Sequence, residues 1–207
     1  MLRLGALLVY CLRHAESTAN ANHSLPDDNN APPVLTEKGI MQAIEIARIL
    51  SKLRIQAIYA SPMLRTRQTA EYISKEIGID YQVDARLKEL ELGSLAGKDY
   101  LLLNRDDPSW YDELFSGSSK YGLEKFPTVK ARVISLVNEA YKKGLSTVLL
   151  VSHMEPIRAI VAEAMNDDGR FVRKIRLDNA SLSILAYDGR SYSVKCINWI
   201  PLTNYRE

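Results

Sequence analysis

Apolar residues crowd positions 4–12, LGALLVYCL, and the run stops abruptly at Arg13 and His14. A stretch of that length without charge, bounded by polar residues, predicts a strand covered on both faces, as in a parallel sheet. A second run, TVLLV at 147–151, ends in the same manner at Ser152 and His153. Residues 55–60 and 81–84 predict two further short strands. Between these segments the apolar positions change to a helical period. Ile40, Ala43, Ile44, Ala47 and Leu50 form one face, with Thr36 placed as N-cap and Leu35 and Ile40 as a hydrophobic staple across it. Ser61-Pro62 supplies a cap and a first-turn proline for the next helix, which Gly78 can close. Val129, Val133, Leu136, Val137 and Ala140 mark another helix, ending at Lys142-Lys143-Gly144. Pro156 opens one whose apolar face is Ile157, Ile160, Val161, Ala164 and Met165. Two alternating strands flank Asp188-Gly189, a two-residue hairpin signal.

Strands alternating with helices imply right-handed crossovers and a parallel sheet. The 207 residues suit a single domain, 1–207, with no internal repeat and no low-complexity segment. Two segments stand outside the pattern. Residues 20–33 form a loop rich in Asn, Asp and Pro. Residues 98–126 mix aromatic and charged residues with weak periodicity and predict an insertion, a lid over one end of the sheet. Tyr100, Trp110, Tyr111 and Phe115 within it either line a substrate wall or pack the insertion itself.

Composition narrows the function. The apolar share of 46% and charged share of 25% are ordinary for a globular protein, and the net charge of +2 is too small to indicate nucleic acid or an acidic membrane as partner. The apolar run of about nine residues near the start is well short of the roughly twenty that span a bilayer. No small-residue cleavage site follows it, so it reads as a strand and not as a secretory signal. Cys11 and Cys196 lie in apolar-patterned segments without metal-like spacing, which predicts buried free thiols and a cytoplasmic location.

Ligands of open parallel sheets bind at the carboxyl ends of strands. Two of the three histidines, His14 and His153, each follow a buried strand. If those strands are neighbours, both imidazoles meet at one edge. Arg13 adjoins the first, and Arg65 and Arg67 fall in the first two turns after Ser61-Pro62. Arginines, histidines and helix N-termini converging on one place describe a site for a dianion such as phosphate. Arg67 also reads as a solvated helix residue.

The stretches LRHAEST (12–18) with Asn20, SPMLRTRQTA (61–70), LKELELGSLAG (87–97) and VSHMEPIRAI (151–160) resemble, in order, the four motifs of the histidine phosphatase superfamily, and DNASLSIL (178–185) resembles the closing strand of its phosphatase members. That group includes cofactor-dependent phosphoglycerate mutases and many small phosphatases. The resemblance implies a three-layer α/β/α sandwich, with a mostly parallel central sheet and one antiparallel edge strand. It implies His14 as the nucleophile, Arg13, Arg65 and Asn20 as phosphate ligands, His153 as a further phosphoryl-binding catalytic residue, and Glu89 as proton donor. Glu91 and Glu71 are alternative carboxylates for that last role. His23 and Met154 are candidates for substrate contact, although loop surface also accounts for His23. Two positions depart from the pattern: Ala15 and Met154 stand where the family usually has glycine. Glu155, next along, reads as a cap for the helix at Pro156, with altered selectivity as the other possibility.

The expected activity is metal-independent hydrolysis of a small phosphorylated metabolite through phospho-His14, with no cofactor. A phosphoglycerate mutase is the alternative; the 64 positions between Glu89 and His153 resemble the compact phosphatases more. A non-catalytic phospho-ligand binder and a metallohydrolase are the other classes, the latter lacking any His-x-x-x-His spacing. A homo-oligomer is compatible with the sequence.

Overall fold

A computed structural model describes residues 5–201, so Leu4, the first residue of the expected opening strand, lies outside the described residues. The sheet has six strands: β1 (Leu7–Arg13), β2 (Ala57–Ala60), β3 (Tyr81–Val83), β4 (Thr147–Ser152), β5 (Leu182–Tyr187) and β6 (Tyr192–Trp199), in the order β3-β2-β4-β1-β5-β6. The four strands on the β3 side run parallel, with β1 against β4 at the centre. The single antiparallel strand is β5, and its hairpin partner β6 forms the edge beyond it. The sheet is thus mostly parallel, as expected, with the antiparallel strand one place in from the edge.

Strand residues alternate between two cores, because successive side chains point to opposite faces. Leu7, Val9 and Cys11 of β1, with Val148 and Leu150 of β4, pack under the helices α5 (Phe126–Lys142) and α6 (Met154–Met165). Leu12, Leu149 and Val151 face the other way, onto α2 (Glu37–Leu50) and α3 (Leu64–Ile77). Helices therefore cover both faces of the sheet, and the runs at 4–12 and 147–151 are continuously apolar for this reason. A third cluster beds the insertion, with its short α4 (Tyr100–Asp106) and a 3₁₀ turn at Trp110–Phe115, against α5 and α6 through Leu114, Leu123, Phe126 and Ala162. Buried Glu113 orders the far side of the insertion by accepting from the amides of Tyr121, Gly122 and Leu123 at 2.8–3.0 Å.

Thr36 caps α2 as expected, accepting from the amide of Gly39, and Leu35 packs with Ile40. Two other helix starts differ. Helix α3 begins at Leu64 with Met63 as N-cap, not at Ser61-Pro62. The Ser61 amide still extends the sheet ladder to the Val151 carbonyl, so the chain needs two more residues to turn. Helix α6 begins at Met154, two residues before Pro156. The proline sits in the first turn, where its missing amide hydrogen costs nothing. Cys11 is buried as expected, whereas Cys196, on the edge strand, is only half-buried; both are free thiols. Among the described residues no helix is long and apolar enough to cross a membrane.

Candidate active site

Because β1 and β4 are parallel neighbours with Arg13 opposite Ser152, the residues that follow them emerge side by side. The His14 amide donates to the Ser152 carbonyl at 2.9 Å. The two imidazoles lie with centroids 5.2 Å apart at an interplanar angle of 62°. The short α1 (Thr18–Ala21) and the chain before it wrap this point. The Ala15 amide is fixed by the Thr69 hydroxyl at 3.1 Å, and the His14 carbonyl accepts from Ala180 and from Asn179 Nδ2.

Arg65, 2% exposed, links the two rings. Its Nε donates to His14 Nε2 at 3.3 Å, its Nη2 meets His153 Nδ1 at 3.2 Å, and its Nη1 pairs with Asp28 at 2.5 Å. His14 Nδ1 faces the Ala15 carbonyl at 2.8 Å. A carbonyl only accepts, so Nδ1 carries the ring proton and Nε2 keeps its lone pair. On His153 the assignment reverses: the guanidinium only donates, so Nδ1 accepts and Nε2 donates to Ser61 Oγ at 2.8 Å. Burial, reinforced by the charges of Arg65 and Arg13, holds His14 well below the usual imidazole range. Burial and Arg65 do the same to His153. Both rings are neutral at physiological pH.

A cavity of about 800 Å³ opens over this arrangement, lined by Arg13, His14, Asn20, His23, Arg65, Glu89 and Met154. His153 is not on its wall; the ring is fully buried behind Arg65. Arg13 donates from Nη1 to the Leu177 carbonyl, while its buried Nε has no partner. Asn20 Oδ1 accepts from the Ser17 amide, the Ser17 hydroxyl and Asn179 Nδ2, so only its amide nitrogen is left for a ligand. Exposed His23 has a positive φ of 52° and reaches the mouth beside Tyr100, whose hydroxyl lies 3.3 Å from its Nδ1. Tyr100, Trp110 and Tyr111 also line the cavity, whereas Phe115 packs on Phe126.

Glu89 sits on the first turn of α6. Its carboxylate accepts from the amides of Met154 and Glu155, each at 3.2 Å, and of Leu90 at 3.0 Å. Burial first, and then the Glu155 charge, push it up to about 7. Glu91 does not line this cavity; its amide bonds Glu124. Glu71 lies on the exposed face of α3, paired with Lys75, and Arg67 is exposed there too. Glu155 does not cap α6, whose N-cap is His153 without a side-chain bond; instead it pairs with Arg158 at 2.8 Å inside the protein. The two side chains meet because residues three apart share a helix face.

Several contributors were not foreseen. Asp28 anchors Arg65, Ser61 orients His153, and Asn179 ties Asn20 to the His14 carbonyl. Asp28 is one polar residue among many in its loop, and Ser61 read as a helix cap. Asn179 lies in the stretch already noted before the closing strand. Among the described residues no group of three or more His, Cys, Asp or Glu side chains could hold a metal ion.

A sheet edge of an α/β protein where Arg13, His14, Arg65 and Glu89 line one cavity, with His153 held behind Arg65, is suited to receive a phosphoryl group. The family model "Histidine phosphatase superfamily (branch 1)" matches residues 9–200, and the chain belongs to that superfamily. It is 31% identical over 185 residues to a "Probable phosphoglycerate mutase GpmB" of Cronobacter sakazakii, covering 87% of this chain and 85% of that protein. Among solved structures it is similar to mycobacterial glucosyl-3-phosphoglycerate phosphatase, with a TM-score of 0.80, 23% identity and coverage of 94% of this chain and 99% of that one. It is also similar to the phosphoglycerate mutase of Bacillus anthracis str. Sterne, with a TM-score of 0.76, 21% identity and coverage of 95% and 94%.

Proposed function

We propose that the protein is a metal-independent phosphatase that hydrolyses a small phosphomonoester through a phosphohistidine on His14. The observation that carries this reading is the fixed tautomer of His14: a neutral ring whose Nε2 lone pair lies beside the Arg65 guanidinium in a cavity also lined by Arg13. In the first step Nε2 attacks phosphorus, the P–N bond forms as the P–O ester bond breaks, and the leaving oxygen takes a proton from Glu89. Water then attacks phosphorus, giving a proton to the Glu89 carboxylate as the P–N bond breaks and inorganic phosphate departs. Arg13, Arg65 and the Asn20 amide nitrogen hold the equatorial oxygens. His153 supports this grip from behind, its Nδ1 accepting from the Arg65 guanidinium at 3.2 Å.

The volume suits a small metabolite; on the cavity wall Arg173 and Arg176 are paired with Asp112 and Asp178, and Lys174 adds a further positive charge. The free thiols support a reducing compartment such as the cytoplasm. The name of the curated relatives supports a second reading, a mutase that returns the phosphoryl group to substrate.

A phosphometabolite panel, with His14→Ala as blank, tests the main reading. Wild type is expected to release phosphate and form an acid-labile phosphoenzyme. His14→Ala should lose at least about a thousandfold in kcat/KM while keeping its fold by circular dichroism. Turnover in that variant near the wild-type rate would remove the assignment. Formation of 2-phosphoglycerate from 3-phosphoglycerate far faster than hydrolysis, with 2,3-bisphosphoglycerate present, would select the mutase.

A further inference from the structure

Glu155 has no place in the mechanism above, yet it is a carboxylate buried to 1% exposure beside the candidate acid. Its Oε1 accepts from Arg158 Nη1 at 2.8 Å, and Oε2 is sealed from solvent without a partner. Arg158 is itself fixed by the Ile175 carbonyl at 2.8 Å and by the Tyr111 hydroxyl at 3.2 Å. A buried ion pair is seldom kept for stability, since apolar side chains of similar volume often serve as well. Glu155 reaches the cavity wall, but Arg158 holds one of its oxygens and the other is closed to solvent. What remains is its field at its neighbour.

That neighbour has conflicting demands. Three backbone amides and the positive end of α6 bind the Glu89 carboxylate, and both favour the ionised form, which cannot donate a proton. Arg65 from α3 and Arg13 from β1 act in the same direction. Arg132 of α5 faces the same segment and donates to the Glu89 backbone carbonyl at 3.3 Å. Against this cationic surround stand burial and one opposing charge, that of Glu155 on the turn whose amides hold Glu89.

We infer that Glu155 is a positioning residue for the acid step, holding Glu89 in its proton-donating form within a cationic pocket. The inference rests on the reading of Glu89 as proton donor. Arg158 and Tyr111 keep the Glu155 carboxylate at a fixed place relative to Glu89, and Tyr111 belongs to the 98–126 insertion, so a well-packed insertion is part of the arrangement.

Glu155→Gln removes the charge and preserves the shape. The profile of kcat/KM against pH is measured for an alkyl phosphate and for p-nitrophenyl phosphate, whose leaving group needs little proton assistance. In Glu155→Gln the alkaline limb for the alkyl ester should move down by about one pH unit, which near pH 7 is about a fivefold loss, with the aryl ester little changed. Glu155→Asp should restore most of the wild-type limb. An unmoved limb in a folded Glu155→Gln protein, or equal loss for both esters at an unchanged limb, overturns the inference. Carboxyl titration by NMR in ¹³C-glutamate protein, with the Glu89 signal assigned by its loss in Glu89→Gln, reads the same coupling without turnover. There the Glu89 midpoint should fall in Glu155→Gln, and an unmoved midpoint overturns the inference. Glu89→Gln that hydrolyses the alkyl ester at the wild-type rate would instead remove the donor reading, whatever the titration shows.

Discussion

Two hydrogen bonds decide which nitrogen of each buried histidine carries its proton, and the two rings are set in opposite senses. His14 is held by a main-chain carbonyl one residue away, so its tautomer comes with the local backbone. His153 depends on a single side chain, Ser61, which also accepts from the Met63 amide at 3.3 Å. In Ser61→Ala the His153 Nε2 hydrogen loses its acceptor inside a fully buried space. The ring is then free to turn or to exchange tautomers, and its contact with Arg65 loosens. Leaving a buried donor unmatched costs about 1–3 kcal/mol. Because the misplaced ring also disturbs Arg65, the expected loss is about tenfold in kcat/KM for p-nitrophenyl phosphate, with a fall in melting temperature of a few degrees. An unchanged kcat/KM would mean that Ser61 does not orient His153. Nothing in the sequence distinguishes this serine from an ordinary helix cap; its role exists only because β2 and β4 are adjacent.

Helix α2 contributes no residue to the cavity wall, yet it sets the path of the chain that leaves His14. Its first turn meets Glu16 so closely that a Cβ on Gly39 would lie 2.0 Å from the Glu16 carbonyl oxygen, the same oxygen that accepts from the Thr36 amide at 3.0 Å. Gly39→Ala, elsewhere a helix-favouring change, should here destabilise by about 2 kcal/mol, seen as a melting temperature lower by roughly 4–8 °C. Activity should fall with it, because Glu16 cannot retreat without moving the Ala15 carbonyl that holds His14. A melting temperature equal to or above wild type would show that the contact relaxes freely. The 3.6-residue period and the Thr36 cap made α2 readable in advance, since both are local. The close approach of Gly39 to Glu16 joins residues 23 positions apart and leaves no local trace. The same division explains the other elements. The strands β1 and β4 announced themselves because both faces are covered, whereas their adjacency stood in the sequence only as a condition for the two histidines to meet. Helices α3 and α6 were found but misplaced by two residues, because ladder bonds and a proline-tolerant first turn set where each begins. The periodicity of the 98–126 insertion is weak because it is held by a buried carboxylate and irregular aromatic packing.

The buried ionisable groups of the site act together on the stability of the whole chain, with opposite signs. His14 and His153 are depressed far below the ordinary imidazole value of 6.5. Below that pH the unfolded chain binds protons that the folded chain refuses, so each ring makes stability fall as pH falls. Glu89, raised from 4.5 to about 7, does the reverse: between those values the folded chain holds a proton that the unfolded chain has released, so stability falls as pH rises. From pH 6.5 downward the two histidines oppose the one carboxyl, and two sites outweigh one. Stability should therefore drop as pH falls through this window, read as a falling melting temperature. The carboxylates held below their usual range, such as Asp84 with Arg86 as its main partner and Glu139 with Lys143, act in the same direction as the histidines, and more strongly under more acid conditions. His14→Ala removes one of the two histidine terms, so the melting temperature should depend on pH less steeply between pH 5 and 6.5. Calorimetry of the two proteins across that range compares slopes, not absolute stabilities, and so is insensitive to any cavity the substitution leaves. Parallel slopes would mean that His14 accepts a proton in the folded state at these pH values, and the neutral nucleophile on which catalysis is argued to depend would be absent there.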